Sequence, residues 1–191
     1  MLAVHRATGR ATPDRGLPFV VLLHRLRLQP GQALFLPAGV PHAYLGGAAV
    51  ELMANSDNVL RAGLTEKHVD PQTLLEVVRF ESGPPVVLDA IPRGDSGAAT
   101  YPVPTAEFGL ERVEVAPGQT FSCAVDGPEL VLAVSGPDSS ARVDGLLELW
   151  TGGQCLALPH GGTLRGTAQT AFTMYRAHVP NDARPIPSFR G

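Results

Sequence analysis

The sequence predicts a mainly β protein of the sandwich or barrel kind, and three observations carry that expectation. The 21 Gly and 18 Pro of its 191 residues punctuate short apolar runs instead of forming a low-complexity block. Many short strands between Pro/Gly turns are the pattern of layered or closed all-β architectures. Only one segment reads as a helix, and one seven-residue stretch recurs in the second half of the chain.

Taken in order, residues 1–16 are polar and aperiodic and are expected to be a tail. The run FVVLLHRLRLQ at 19–29 begins apolar, then alternates Leu26 and Leu28 with Arg25, Arg27 and Gln29, as a strand leaving a core would. Pro30-Gly31 supplies turn chemistry, since Pro presets one φ and Gly accepts a positive one. Strands are expected at about 32–36, 42–45 and 48–54, with Gly46-Gly47 as a hairpin connection. Asp70-Pro71 places an N-cap before a proline at the first helical position, which predicts a short helix over about 71–79. Residues 81–107 are rich in Pro and Gly and are expected to be an irregular connector with a short strand at 86–90. From Phe108 onward, strands are expected at about 108–116, 119–125, 129–134, 142–149, 154–158, 163–165 and 170–178, with a surface tail from Pro180. The expected organisation is a tail (1–16), a partial first β unit (17–66), a helix and linker (67–100) and a second β unit (101–191).

Composition excludes several function classes. A net charge of −3, with 15 basic residues scattered singly, offers no footprint for nucleic acid. No apolar run approaches the roughly 20 residues that span a bilayer, and the first residues lack the apolar core of a signal peptide. The expectation is a cytoplasmic protein that binds neither nucleic acid nor membrane. Cys123 and Cys155 are too few for a disulfide framework and lack paired zinc spacing, so both read as buried thiols.

The recurring stretch is Gly31-Gln-Ala-Leu-Phe-Leu-Pro37, which returns as Gly153-Gln-Cys-Leu-Ala-Leu-Pro159. The same offset sets VELMA at 50–54 against FTMYR at 172–176. Two copies of one β unit is the economical reading. At this offset His42 aligns with Leu164 and Glu51 with Thr173, so polar chemistry is concentrated in the first copy.

That first copy contains LPAGVPHAYLGG and VELMANSDNVLRAGLTEK, with nineteen positions from His42 to Arg61. The first of these resembles the second motif of the cupin family, and the two together resemble the signature of type I mannose-6-phosphate isomerases. The resemblance covers roughly 17–80 closely, and the Tyr101-Pro102-x-Pro104-x-x-Glu107-Phe108 segment resembles that family's C-terminal cupin domain more weakly. It implies a cupin/jelly-roll fold: a partial first cupin unit, one short helix, and a C-terminal cupin-like β-barrel. The implied activity is the zinc-dependent interconversion of mannose 6-phosphate and fructose 6-phosphate by proton transfer between C1 and C2.

By the same resemblance His42 is the metal ligand, Arg61, Glu51 and Lys67 are catalytic, and Tyr44, Lys67 and Arg61 contact the sugar-phosphate substrate. A neutral imidazole is a good zinc ligand, and a guanidinium stays charged at any working pH and can stabilise an enediolate or grip a phosphate. Lys67 is the only lysine in the chain. Asn55, Ser56, Asp57 and Asn58 read equally well as an Asx-type turn or as substrate contacts. Glu66 stands where the family has Pro before this lysine.

One departure matters more. The family's zinc site also needs a Gln-x-His pair and an upstream Glu, and the chain contains no Gln-x-His. A single His cannot hold a catalytic zinc, which typically has three protein ligands. Residues 17–54 also supply only about four strands where a jelly roll needs about eight. The chain therefore reads as the C-terminal half of such an enzyme, inactive alone, whose partner is the missing N-terminal half. A non-catalytic cupin that binds a sugar phosphate or a protein partner is the alternative, and a stand-alone isomerase that completes its metal site through a dimer is a third.

Overall fold

The computed structural model describes residues 14, 16–56, 58–94, 96–134, 138–146, 148–159 and 161–180. The tails at 1–13 and 181–191, Asp57 and His160 lie outside the described residues. The chain forms two compact units that interleave along the sequence. One comprises Met1–Pro30, Leu34–Ala49 and Asn55–Val87, and the other Gly31–Ala33, Val50–Ala54 and Leu88–Gly191.

Among its described residues, the first unit is mostly irregular backbone with two short helices. Helix α1 is a single turn, Phe19–Leu22, and helix α2 is Pro71–Val77. Helix α2 matches the expected DP start: the Asp70 carboxylate accepts from the Thr73 backbone N–H at 3.1 Å and from Thr73 Oγ1 at 2.6 Å. The Thr73 hydroxyl above all, and then its N–H, hold the Asp70 carboxyl below its ordinary value. Beyond the helix, Arg79 N–H donates to the Gly39 carbonyl at 2.9 Å, so 78–79 pack directly against the 37–40 turn.

Three expectations fail in this region. Residues 19–29 form α1 and then extended chain, not a strand, and Val21 is 84% exposed. The segments 42–45 and 48–54 carry no strand, so no hairpin forms at Gly46-Gly47. The physical reason is common to all three. A strand exists by hydrogen bonding to a neighbour, and among the described residues none of these segments joins a sheet.

The second unit is where the core lies. It contains β1 (Gln32–Leu34, whose first two residues belong to this unit) paired with β2 (Val87–Asp89), followed by β3 (Ile91–Pro92), β4 (Ala98–Thr100) and β5 (Gly109–Val115). Then come β6 (Thr120–Ala124), β7 (Glu129–Ala133), β8 (Ser140–Val143), β9 (Trp150–Thr151), β10 (Cys155–Leu158), β11 (Thr163–Ala168) and β12 (Phe172–His178). One sheet runs β10-β7-β12-β5-β4-β3 and the other β6-β11-β8-β9. The orders 10-7-12-5 and 6-11-8-9 are those of an eight-stranded jelly roll, the expected C-terminal cupin-like barrel. Expected strands and observed strands agree closely here, with two differences. The stretch 142–149 breaks at the Asp144-Gly145 turn, where Gly145 has φ +84°, and β3 and β4 fold within the supposed connector.

Period-2 alternation builds the core. Val113, Val115, Val131, Ala133, Phe172 and Met174 face inward from the first sheet, against Phe121, Ala141, Val143, Trp150, Leu164 and Ala168 from the second. Trp150 and Phe172 meet at 5.1 Å between ring centroids, tilted by 55°. The same alternation corrects the reading of the cysteines. Cys155 lies on the outward face of β10 and is exposed, whereas Cys123 is half-buried and packs against the core. Burial pushes the Cys123 thiol up from its ordinary value.

The inward positions also carry three charges. Glu111 on β5, Glu129 on β7 and Arg176 on β12 are all buried. Arg176 Nη1 donates to Glu111 at 2.5 Å, Nε to Glu129 at 3.0 Å, and Nη2 to both Glu129 oxygens and to the Ala124 carbonyl at 2.7–2.9 Å. Arg93, more than half exposed, reaches the other oxygen of Glu111 at 3.4 Å. Buried charges are tolerated when paired and hydrogen-bonded, and become costly when one partner is removed. Replacing Arg176 by Ala leaves two carboxylates without their shared cation. The expected loss of stability is about 3–5 kcal/mol, read as a lower urea midpoint at unchanged m.

Candidate functional site

The turn that opens β1 lies in the second unit. Gly31 has φ +84°, a conformation that favours glycine, and an added Cβ would collide with the Arg112 guanidinium. Its carbonyl accepts from the hydroxyl of buried Tyr101 at 2.8 Å. Burial, and then a hydrogen bond with Tyr175, raises the Tyr101 hydroxyl far above the usual phenol range, so it stays protonated and donating. The repeat is visible at this level: Gly153, before β10, has φ +87° and so matches Gly31. The likeness ends further on, where FTMYR lies in β12 and VELMA in no strand.

In the first unit, Pro37-Ala38-Gly39-Val40 forms a β-turn, with Val40 N–H donating to the Pro37 carbonyl at 3.3 Å and Gly39 at φ +82°. The turn delivers His42. Its Nδ1 lies 3.0 Å from the Val40 carbonyl. A carbonyl only accepts, so Nδ1 carries the proton and the Nε2 lone pair is left outward, the arrangement by which metal-binding imidazoles are oriented. The Tyr44 ring stands edge-on to His42 at 6.0 Å, and Tyr44 is 68% exposed.

Arg61 is half-buried and Lys67 is exposed. Between them the backbone turns sharply: Leu64 has φ +54°, and Lys67 N–H donates to Thr65 Oγ1 at 3.1 Å. Glu51 is exposed and falls within Val50–Ala54, in the other compact unit. The structure thus brings His42 and Tyr44 together, while no hydrogen bond among the described residues joins His42 to Arg61 or Lys67.

A catalytic zinc typically takes three protein ligands. His42 fits the role of one ligand, but among the described residues no three His, Cys, Asp or Glu side chains gather to hold a metal ion. The donor set of the described residues does not make a zinc site. Elsewhere, the second unit has an open cavity of about 270 Å³ lined mostly by apolar residues, among them Val125, Leu156, Leu158 and Leu164. None of the sequence-identified site residues lines it.

Two structurally important groups escaped the sequence reading. The buried Glu111–Arg176–Glu129 cluster was signalled by charges on inward positions of alternating strands, in register with Val113 and Met174. The Tyr101 brace sits in the Tyr101-Pro102 motif, but its role needs the fold to be seen.

No family model matches the chain. It is similar to curated mannose-6-phosphate isomerases: 37% identical over 148 residues to that of Escherichia coli, covering 78% of this chain and 35% of the relative. It is 35% identical over 170 residues to mannose-6-phosphate isomerase 2 of Arabidopsis thaliana, covering 88% and 38%. Among solved structures, a point mutant of phosphomannose isomerase from Salmonella typhimurium superposes with a TM-score of 0.73 at 31% identity, over 87% of this chain and 42% of that one. The Salmonella enzyme described as bound to fructose 6-phosphate and zinc superposes at 0.65 with 32% identity, over the same shares. The likeness is to the C-terminal part of these enzymes. The chain spans a little over a third of the length of the curated relatives it matches.

Replacing Tyr101 by Phe removes the donor to the Gly31 carbonyl and keeps the ring. The expected cost is about 1–2 kcal/mol of stability, measured by urea denaturation.

Proposed function

We propose that this chain, a relative of the C-terminal part of the mannose-6-phosphate isomerases, supplies one side of the active site of such an isomerase. The observation that carries the proposal is His42, set in the PHAY motif with Nδ1 donated to the Val40 carbonyl and Nε2 left to coordinate. Its distance along the sequence from Arg61, within the VLRAGLTEK segment, adds the cations that a sugar phosphate requires.

In this reading His42 contributes one ligand to a zinc ion whose other ligands come from the upstream part of the enzyme. Arg61 and Lys67 bind the doubly charged phosphate, and Arg61 can also stabilise the negative charge that develops on an enediolate. Tyr44 offers an exposed ring and hydroxyl to the sugar. Glu51 is a carboxylate suited to carrying the proton between C1 and C2. Binding and positioning are the roles assigned to these residues.

The exposed apolar side chains support the view that the site is shared. Val21, Leu22, Tyr44, Leu45, Leu75 and Phe80 are each at least 62% exposed. Large apolar groups are seldom left in water in such number by a region complete in itself. Among the described residues of the second unit no large apolar side chain is as exposed; Ile91, Leu130 and Val179 come nearest, at 55–57%.

A coupled assay for fructose 6-phosphate formed from mannose 6-phosphate tests the proposal. The expected result is no turnover by the chain alone. Turnover should appear when the chain replaces the corresponding part of the Escherichia coli relative, and should fall by about 10²–10³-fold in the same hybrid carrying Arg61→Ala. Enzyme-like turnover by the chain alone would contradict a shared site. A folded hybrid without turnover, or one indifferent to Arg61→Ala, would contradict the isomerase reading.

A further inference from the structure

We infer that Asp14 is a positioning residue, a clamp that fixes the turn between Arg61 and Lys67. The inference deepens the reading of Arg61 and Lys67 as substrate-binding groups and rests on it. Asp14 precedes every motif in the chain and lies in the segment expected to be a tail. The structure instead buries it, at 6% exposure. Its Oδ1 accepts from Gly16 N–H at 2.8 Å and from Leu64 N–H at 3.0 Å, across fifty positions of sequence.

The partner it reaches is an unusual one. Leu64 has φ +54°, in the left-handed region that a residue with a Cβ enters only when its surroundings hold it there. Gly63, at φ +146°, packs so tightly that an added Cβ would lie 2.7 Å from Asp14 Oδ1 and 2.8 Å from Gly16 Cα. Gly16 is close-packed but less tightly, with Asp14 Oδ1 and the Gly63 backbone 3.1 Å from its own added Cβ. Three close-packed positions therefore surround one carboxylate oxygen, and that oxygen holds the N–H of the strained residue. Arg61 and Lys67 are three residues to either side of Leu64. The direction in which both cations leave the backbone is set by a turn that Asp14 holds.

Amide exchange and amide chemical shifts of the chain test this without any reliance on turnover, so failure of the isomerase reading would not be confused with failure here. In Asp14→Ala the Leu64 amide should exchange about tenfold faster or more, because a buried donor loses its acceptor. The Arg61 and Ala62 amide shifts should move with it. Asp14→Asn keeps an accepting Oδ1 and should restore both. The Val78 amide, bonded to Leu74 at the end of α2, should stay unchanged in all variants. If Asp14→Ala does not fold, Gly63→Ala forces the same contact apart from the other side and must release Leu64. An unchanged Leu64 amide in either folded variant, an Asn that behaves like Ala, or a Val78 amide released in parallel would overturn the clamp.

Discussion

Backbone pairing is the constraint on which this molecule depends. Each strand of the jelly roll in the second unit has a hydrogen-bonded neighbour, and each buried face has an opposing one. The segments that carry the candidate chemistry form no strand among the described residues. Residues 42–54 have the composition of strands and run as irregular chain among the described residues. Unpaired backbone groups need solvent or another segment. His42 and Tyr44 are both exposed.

Each compact unit fixes its own turns. The Tyr101 hydroxyl holds the Gly31 carbonyl, Gly39 shapes the turn before Val40, and the Val40 carbonyl sets the tautomer of His42. Each is a single hydrogen bond of modest net value, and each decides a direction. The buried Arg176 cluster belongs to a different part of the ledger. It costs desolvation, is compensated by complete hydrogen bonding, and locks β5, β7 and β12 into one register.

Much of the fold was legible because its strands obey simple alternation. In the second half, inward Val, Phe and Met recur every second residue, and the turns fall at Pro117-Gly118, Gly145 and Gly153, so strand positions can be read directly. The DP start of α2 is equally local. What could not be read depends on partners. FVVLLHRLRLQ has strand chemistry, but chemistry does not supply a neighbour, and the structure leaves it as one helical turn and extended chain. Ala98–Thr100 looks like connector and becomes a strand because β5 lies beside it. In the site, the motif's resemblance to a family pointed to His42 and Tyr44, whose ring centroids lie 6.0 Å apart. It could not point to Asp14, whose importance arises from a contact fifty positions away.

We propose His42 as one ligand of a metal site that this chain does not complete. The decisive measurement is zinc content after exhaustive dialysis, on the chain and on His42→Ala. Far less than one zinc per chain is expected in both. One tightly held zinc per chain, lost in His42→Ala, would contradict it.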